Sequence, residues 1–166
     1  MKWATPAAWP TLQRKSANFN NYRMIRFIPV EDLLAIRNDV LRGGKLTPDE
    51  CRFPSDELTG VFHVGYFADE ALACIASFHP QGFGEFLGLG YQLRGMATKE
   101  KYRNQGMGNQ LLNFAIVYLR SQKADYLWCN ARKKAINFYM NLGFEMISDE
   151  FQVPDIGPHY VMYVKI

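Results

Sequence analysis

Apolar positions along the chain follow two different periods, which predict strands in some segments and helices in others. Runs of alternating or consecutive β-branched and aromatic residues predict strands over residues 22–28, 61–67, 71–78, 89–98, 125–129, 144–153 and 160–166. Apolar residues three and four positions apart predict helices from residue 30 to the glycine pair 43–44, from about residue 105 or 106 onward, and over 133–142. Because a helix connects strands 89–98 and 125–129, we expect these two strands to be parallel.

This order of elements predicts a mixed α/β (α+β) fold, in which a central sheet of six to seven strands is flanked by helices. The chain has 166 residues, 48% of them apolar, which is enough for one sizeable core. We expect a single domain over residues 22–166, preceded by an N-terminal extension over residues 1–21. No apolar run approaches the roughly 18 residues that span a membrane, and the extension lacks the features of a secretory signal. Three widely spaced cysteines suit neither disulfides nor zinc, so we expect a reduced, cytoplasmic protein without a metal.

A glycine-rich turn is the most informative local feature. Residues 93–98 predict the end of a strand, and the sequence RNQGMG at 103–108 leads into the next helix. The N–H groups at a helix start have no intrahelical partners and lie at the positive end of the helix dipole, so they can bind a phosphate. Gly106 and Gly108 have no side chains that would keep a pyrophosphate away from these amides.

Two common phosphate motifs fit this turn poorly. A nucleoside triphosphate loop needs a Lys-Ser/Thr pair after its second glycine, where Asn109 and Gln110 stand. A dinucleotide fold needs a third glycine, where Leu111 stands, and an acid at the end of the next strand, whereas Asp125 precedes that strand. Both motifs are therefore disfavoured.

The turn is similar to the Gln/Arg-x-x-Gly-x-Gly/Ala motif of the GNAT superfamily of N-acetyltransferases, and the strand before it resembles their coenzyme A-contacting strand. The sequence AINFYMNLGF at 135–144 resembles the family's second signature, a helix that carries a tyrosine and ends at Gly-Phe. The resemblance covers about residues 22–166 and implies a GNAT-like fold with splayed parallel central strands. It also implies acetyl-coenzyme A as the cosubstrate, with contacts from Met96, Ala97, Thr98, Arg103, Asn104, Gln105, Gly106, Met107, Gly108, Asn109, Asn130 and Phe138.

Tyr139 matches the family's tyrosine, whose hydroxyl lies near the coenzyme sulfur and protonates the departing thiolate as a general acid. A tyrosine on the apolar face of a helix is otherwise a core residue, but its place in the second signature favours the catalytic role. Arg132 departs from the family pattern, because an asparagine that contacts the pantetheine often stands there. Either Asn130 takes over that contact, or Arg132 contacts the ligand differently, or Arg132 begins an ordinary basic helix.

The general base is not identified by the sequence, and its candidates are Glu85, His79, His63, Asp155 and His159. We prefer His159 as a base or substrate contact, because its loop over 151–159 resembles that of a bacterial GNAT subgroup. Segments 37–41 and 51–56 resemble the same subgroup, which implies that Arg37 and Asp56 line the acceptor pocket. A surface ion pair is the alternative role for each of them. Glu85 is a further candidate for contact with the acceptor.

Charge is unevenly distributed, since Asp125 is the only acid between residues 101 and 144. The basic excess favours an anionic ligand such as coenzyme A, or it forms a solvated helix face.

The resemblance implies transfer of an acetyl group to a primary amine of a small molecule or peptide, by direct attack on the thioester. The alternative is a non-catalytic acyl-coenzyme A sensor or interaction module. The resemblance also allows a homodimer. Binding of nucleic acid ranks last, because the aromatic residues fall mostly in predicted strands.

Overall fold

The structure is a computed structural model that describes residues 24–166. The predicted N-terminal extension over residues 1–21 lies outside the described residues, as do residues 22 and 23. The strands are β1 (Ile25–Phe27), β2 (Phe62–Ala68), β3 (Ala71–Pro80), β4 (Gly90–Thr98), β5 (Tyr126–Arg132), β6 (Glu145–Met146), β7 (Phe151–Val153) and β8 (Gly157–Lys165). The helices are α1 (Val30–Ile36), α2 (Met107–Ser121) and α3 (Ile136–Met140).

The described residues form an eight-stranded sheet in the order β1-β2-β3-β4-β5-β8-β6, and β7 also pairs with β8. Strands β1 to β4 are successively antiparallel. Asp69 and Glu70 connect β2 with β3, and both have the positive φ that a two-residue hairpin turn requires. Strands β4 and β5 are parallel, as the connecting helix predicts, and β8 returns antiparallel to β5. The predicted mixed α/β class and the predicted parallel pairing of the two central strands are therefore confirmed.

The sheet exceeds the expected six to seven strands because residues 144–153 form two short strands instead of one. Between β6 and β7, the hydroxyl of Ser148 accepts a hydrogen bond of 2.8 Å from the backbone N–H of Val161. A serine side chain that takes the place of a backbone carbonyl interrupts the ladder of a strand. The helix predicted over 133–142 is also shorter, since Lys133–Ala135 form a 3-10 turn before α3.

Helices cover both faces of the sheet. On one face, α2 buries Leu111, Leu112 and Ala115 in the largest apolar cluster, which also contains Tyr139 of α3. On the other face, α1 buries Leu33 against a second cluster, and its continuation Arg37–Leu41 forms a π-helical turn. The sheet therefore separates α1 from α2 and α3. No helix between residues 24 and 166 has the length and apolar character that crossing a bilayer requires.

Candidate functional site

The parallel strands β4 and β5 part before they end, and a cleft of about 890 Å³ opens between them. Their pairing runs from Gly90 opposite Tyr126 to Leu93 opposite Cys129, and stops there. Residues 94–98 and 130–132 continue without pairing to each other, so the strands splay. The predicted residues that line the cleft are Met96, Ala97, Thr98, Arg103, Asn104, Gly106, Met107, Gly108, Asn109, Asn130, Phe138, Tyr139 and His159.

A β-bulge at Gly95 accompanies the point where β4 leaves β5. Ser77 of β3 pairs with Arg94 and Ile75 pairs with Ala97, so two residues of β4 lie opposite one residue of β3. Gly95 has a φ of +60°, and a Cβ there would lie 2.9 Å from Nε of Arg37. Only glycine fits this position without strain. The sequence signal for the bulge is an isolated glycine within a strand pattern.

The glycine-rich turn presents a row of free backbone donors. Asn104 and Gly106 adopt positive φ, and Gly106 caps the N-terminus of α2. None of the N–H groups of residues 104–109 donates a hydrogen bond to another described residue, whereas the N–H of Gln110 donates to the carbonyl of Gly106. At the N-terminus of a 15-residue helix, such donors favour an anion.

The floor of this turn is tightly packed around Gly108. A Cβ on Gly108 would lie 3.1 Å from Cε of Met96 and 3.3 Å from the ring of Phe138. Arg103 donates from Nε to the carbonyl of Thr98 at 3.2 Å, which ties the turn to the end of β4. Gln105 is the one predicted coenzyme contact that does not line the cleft, because its side chain turns back to the carbonyl of Lys101.

Tyr139 reaches the cleft from the α2 side of the sheet. Tyr139 is 7% exposed, and its hydroxyl donates to Sδ of Met96 at 3.8 Å. Burial raises the pKa of Tyr139 well above its usual value, and neighbouring Cys129 adds to the shift. Burial also raises the pKa of the Cys129 thiol. The hydroxyl of Tyr139 and the thiol of Cys129 therefore both keep their protons at neutral pH.

His159 lies at the opposite wall of the cleft, on β8. His159 is 5% exposed, and its Nδ1 lies 2.8 Å from the carbonyl oxygen of Gly157. A carbonyl only accepts, so Nδ1 carries a proton, and in the neutral ring Nε2 holds the lone pair. No described residue forms a hydrogen bond to Nε2, and the side chain lines the cleft. This arrangement suits a proton acceptor.

Arg37 and Asp56 do form an ion pair, but it is buried and neither residue lines the cleft. Arg37 donates from Nη1 and Nη2 to the two carboxylate oxygens of Asp56, at 2.6 and 2.9 Å. It also donates to the carbonyl of Cys51 and the hydroxyl of Ser77. Burial opposes ionisation of Asp56, but the hydrogen bonds and charge of Arg37 hold its pKa below the usual value. The pair fixes the loop that carries Phe53 into the cleft.

Glu85 lies away from the cleft, on the exposed loop before β4. Phe83 and Phe86 of that loop pack against Trp128 and Tyr126 of β5, which anchors the loop at the paired part of the sheet. The sequence does not predict this position of Glu85, since an acidic residue on a polar loop can lie near either end of the neighbouring strand.

The remaining base candidates lie outside the cleft lining as well. His63 is buried and hydrogen-bonded to Ser77 and to the carbonyl of Asp56. His79 contacts the Ser55 hydroxyl, and burial, followed by the charge of Arg94, lowers its pKa to about 4. Asp155 is exposed on the turn between β7 and β8. Among residues 24–166, no group of three or more His, Cys, Asp or Glu side chains is placed to hold a metal ion.

Sequence reasoning pointed to segments 37–41 and 51–56 but missed which residues form the wall of the cleft on the α1 side. That wall contains Val40, Leu41, Arg42, Phe53, Gln92 and Arg94. These residues come from a helix end, a loop and a strand that are distant in sequence. The hint in the sequence is a pair of polar residues, Gln92 and Arg94, two positions apart in an otherwise apolar strand.

Comparison with known proteins agrees with this geometry. Residues 59–146 match the family model described as an acetyltransferase (GNAT) domain. YitI of Bacillus subtilis (strain 168), described as an uncharacterized N-acetyltransferase, is 39% identical over 140 residues. That alignment covers 84% of this chain and 93% of YitI.

Solved structures share the fold at lower identity. The ribosomal-protein-S18-alanine N-acetyltransferase of Escherichia coli superimposes with a TM-score of 0.67 at 19% identity, over 86% of this chain and 92% of that one. An aminoglycoside 6'-N-acetyltransferase complexed with coenzyme A gives a TM-score of 0.62 at 16% identity, over 85% of this chain and 96% of that one. The chain therefore belongs to the GNAT superfamily of N-acetyltransferases.

Proposed function

We propose that the protein transfers an acetyl group from acetyl-coenzyme A to a primary amine of a small molecule or peptide, by direct attack on the thioester. The observation that carries this proposal is the convergence of three features on one cleft. These are the free amides of residues 104–109, the gap between β4 and β5, and the hydroxyl of Tyr139.

The coenzyme would bind mainly through the backbone. The pyrophosphate would accept hydrogen bonds from the amides of residues 104–109, including that of Gln105, whose side chain points elsewhere. The pantetheine would lie against Met96, Ala97 and Thr98, where β4 has no partner on the β5 side. Asn130 and Phe138 line the same gap from β5 and α3.

The chemistry needs one proton acceptor and one proton donor. The amine nitrogen attacks the thioester carbonyl, the nitrogen–carbon bond forms, and the carbon–sulfur bond breaks. His159, directly or through a water, would take the proton that the amine loses, because its Nε2 lone pair is unused. Tyr139 would give its proton to the thiolate and recover one from solvent, which yields the amide and free coenzyme A.

The test measures coenzyme A release from acetyl-coenzyme A with a panel of primary amines, using a thiol reagent, and identifies the acetylated product by mass. We expect amine-dependent release and a product heavier by one acetyl group. Reactions without amine control for thioester hydrolysis. Tight binding of acetyl-coenzyme A by calorimetry with no turnover on any amine would favour the non-catalytic acyl-coenzyme A module instead.

A further inference from the structure

Four guanidinium groups line the cleft, which has no carboxylate among its lining residues, and three of them lie away from the coenzyme turn that contains Arg103. Arg42, Arg94 and Arg132 all face the cleft, and no Asp or Glu is among its lining residues. Within the described residues, none of the three forms an ion pair. Residues 1–23 contain no Asp or Glu, so that segment has no acidic side chain to supply.

Arg94 is held in place by neutral groups and forms no ion pair with a described residue. The residue is half-buried, its Nη1 donates to the hydroxyl of Ser55 at 3.2 Å, and its Cζ lies 4.2 Å from the centre of the Phe53 ring. Gln92, two positions earlier on the same face of β4, is 8% exposed, and its side-chain amide has no hydrogen bond to a described residue. Burial lowers the pKa of Arg94; the carboxylate of Asp56 opposes this shift, but it is already bound to Arg37, whose like charge lowers the pKa of Arg94 further.

Arg132, at the end of the other strand of the gap, reaches the chain next to Arg42. Arg132 donates from Nη2 to the carbonyl of Leu41 at 3.1 Å, which brings it to the residue before Arg42. Burial lowers the pKa of Arg132, and the like charge of Arg42 adds to the effect. Two cations held this close repel each other unless an anion lies between them.

These cations lie on the face of the sheet opposite to the coenzyme turn. Leu41 packs with α1, whereas the amides of residues 104–109 begin α2 on the other face. A pyrophosphate at the turn and the guanidinium groups would therefore lie at opposite sides of the gap between β4 and β5. The α1 side of the gap is the side from which an acceptor would approach a thioester held between β4 and β5.

We propose that the acceptor amine belongs to a molecule that also carries an oxyanion, a carboxylate or a phosphate, which Arg42, Arg94 and Arg132 bind. This inference rests on the proposed acetyl transfer and narrows its substrate class. A planar guanidinium binds such oxyanions through paired hydrogen bonds. The same cations disfavour an ammonium group, so they help to hold the attacking amine neutral.

The experiment compares matched acceptors that differ only in the oxyanion: an amino acid, its carboxamide, its methyl ester, and the corresponding aminophosphonate. We expect the amino acid or the aminophosphonate to have a kcat/KM at least about tenfold above that of the carboxamide and the ester. The identity of the better acid distinguishes a carboxylate site from a phosphate site. Turnover that is equal for charged and neutral acceptors would overturn this inference and leave acetyl transfer intact, whereas absence of turnover on every acceptor would overturn both.

Variants locate the site. Arg94→Gln and Arg132→Gln should each reduce kcat/KM for the anionic acceptor by about 10- to 100-fold, with less than about a threefold effect on the neutral one. Arg120 is an exposed arginine on α2 outside the cleft, so Arg120→Gln is the matched control and should change kcat/KM for neither acceptor.

Calorimetry with coenzyme A and 3'-dephospho-coenzyme A completes the test. If the Arg variants weaken coenzyme A specifically through its 3'-phosphate, the cations serve the coenzyme and the inference is wrong.

Discussion

Replacing Asp56 by Asn should destabilise the protein by about 3–5 kcal/mol, because it leaves the Arg37 guanidinium buried without a counter-charge. The side chains of Arg37 and Asp56 are 1% and 0% exposed, and two hydrogen bonds of 2.6 and 2.9 Å join them. Water cannot replace a carboxylate at a site this closed. The cost is that of an unpaired buried charge, which is larger than the net contribution of the pair itself.

The effect should be visible in a thermal melt. For a chain of about this length, 1 kcal/mol corresponds to roughly 2–4 °C in Tm, so Asp56→Asn should lower Tm by about 6–20 °C. Arg52→Gln is the matched control, since Arg52 forms ion pairs with Glu31 and Glu57 whose carboxylates are 63% and 72% exposed. Breaking exposed pairs should cost no more than about 1 kcal/mol.

A double-mutant cycle separates the ion pair from other contacts. Arg37→Met removes the unpaired buried charge that Asp56→Asn leaves behind. The double variant Arg37→Met/Asp56→Asn should therefore lose about 1–3 kcal/mol less free energy of unfolding than the two single variants lose together. Urea unfolding of the four proteins measures this coupling. A cost for Asp56→Asn as small as that of Arg52→Gln, or no coupling in the cycle, would refute the assignment of a buried, mutually dependent pair.

Three further predictions concern the cleft and its surroundings. Tyr139→Phe should slow turnover by about 10²–10⁴-fold with coenzyme binding retained, and an undiminished rate by thiol assay would reduce Tyr139 to packing. Gly108→Val should weaken acetyl-coenzyme A binding by roughly 10- to 100-fold in calorimetry, because its side chain would crowd Met96 and the amides; unchanged affinity in the folded variant would remove the phosphate site. Because burial lowers the pKa of His79 from 6.5 to about 4, the unfolded chain binds more protons between these values. The free energy of unfolding should therefore fall by about 2–3 kcal/mol from pH 7 to 4.5. Urea unfolding at several pH values should give a smaller fall for His79→Gln. Equal pH dependence in both proteins would contradict the burial of a neutral imidazole.

The local parts of the site were predictable because their signals are local. Gly106 at the start of α2 and Tyr139 before the terminal Gly143 are short-range patterns, and both residues line the cleft. Gly143 adopts the positive φ of a helix stop, as its place in the sequence predicts. The parallel pairing of β4 and β5 follows from the helix that joins them.

The α1 side of the cleft was not predictable because long-range packing determines it. A surface ion pair was the alternative role for Arg37 and for Asp56, but the pair that they form is buried, and Arg37 also donates to Ser77 of a distant strand. Glu85 lies outside the cleft lining because aromatic contacts hold its loop against β5. No single-sequence pattern reports such contacts between segments that are far apart along the chain.

The most direct test of the central claim is the position of coenzyme A in a crystal structure of its complex with this protein. We predict that the pyrophosphate oxygens lie about 3 Å from backbone nitrogens of residues 104–109, with the sulfur beside the hydroxyl of Tyr139. A coenzyme bound elsewhere, with those amides facing only water, would contradict the account.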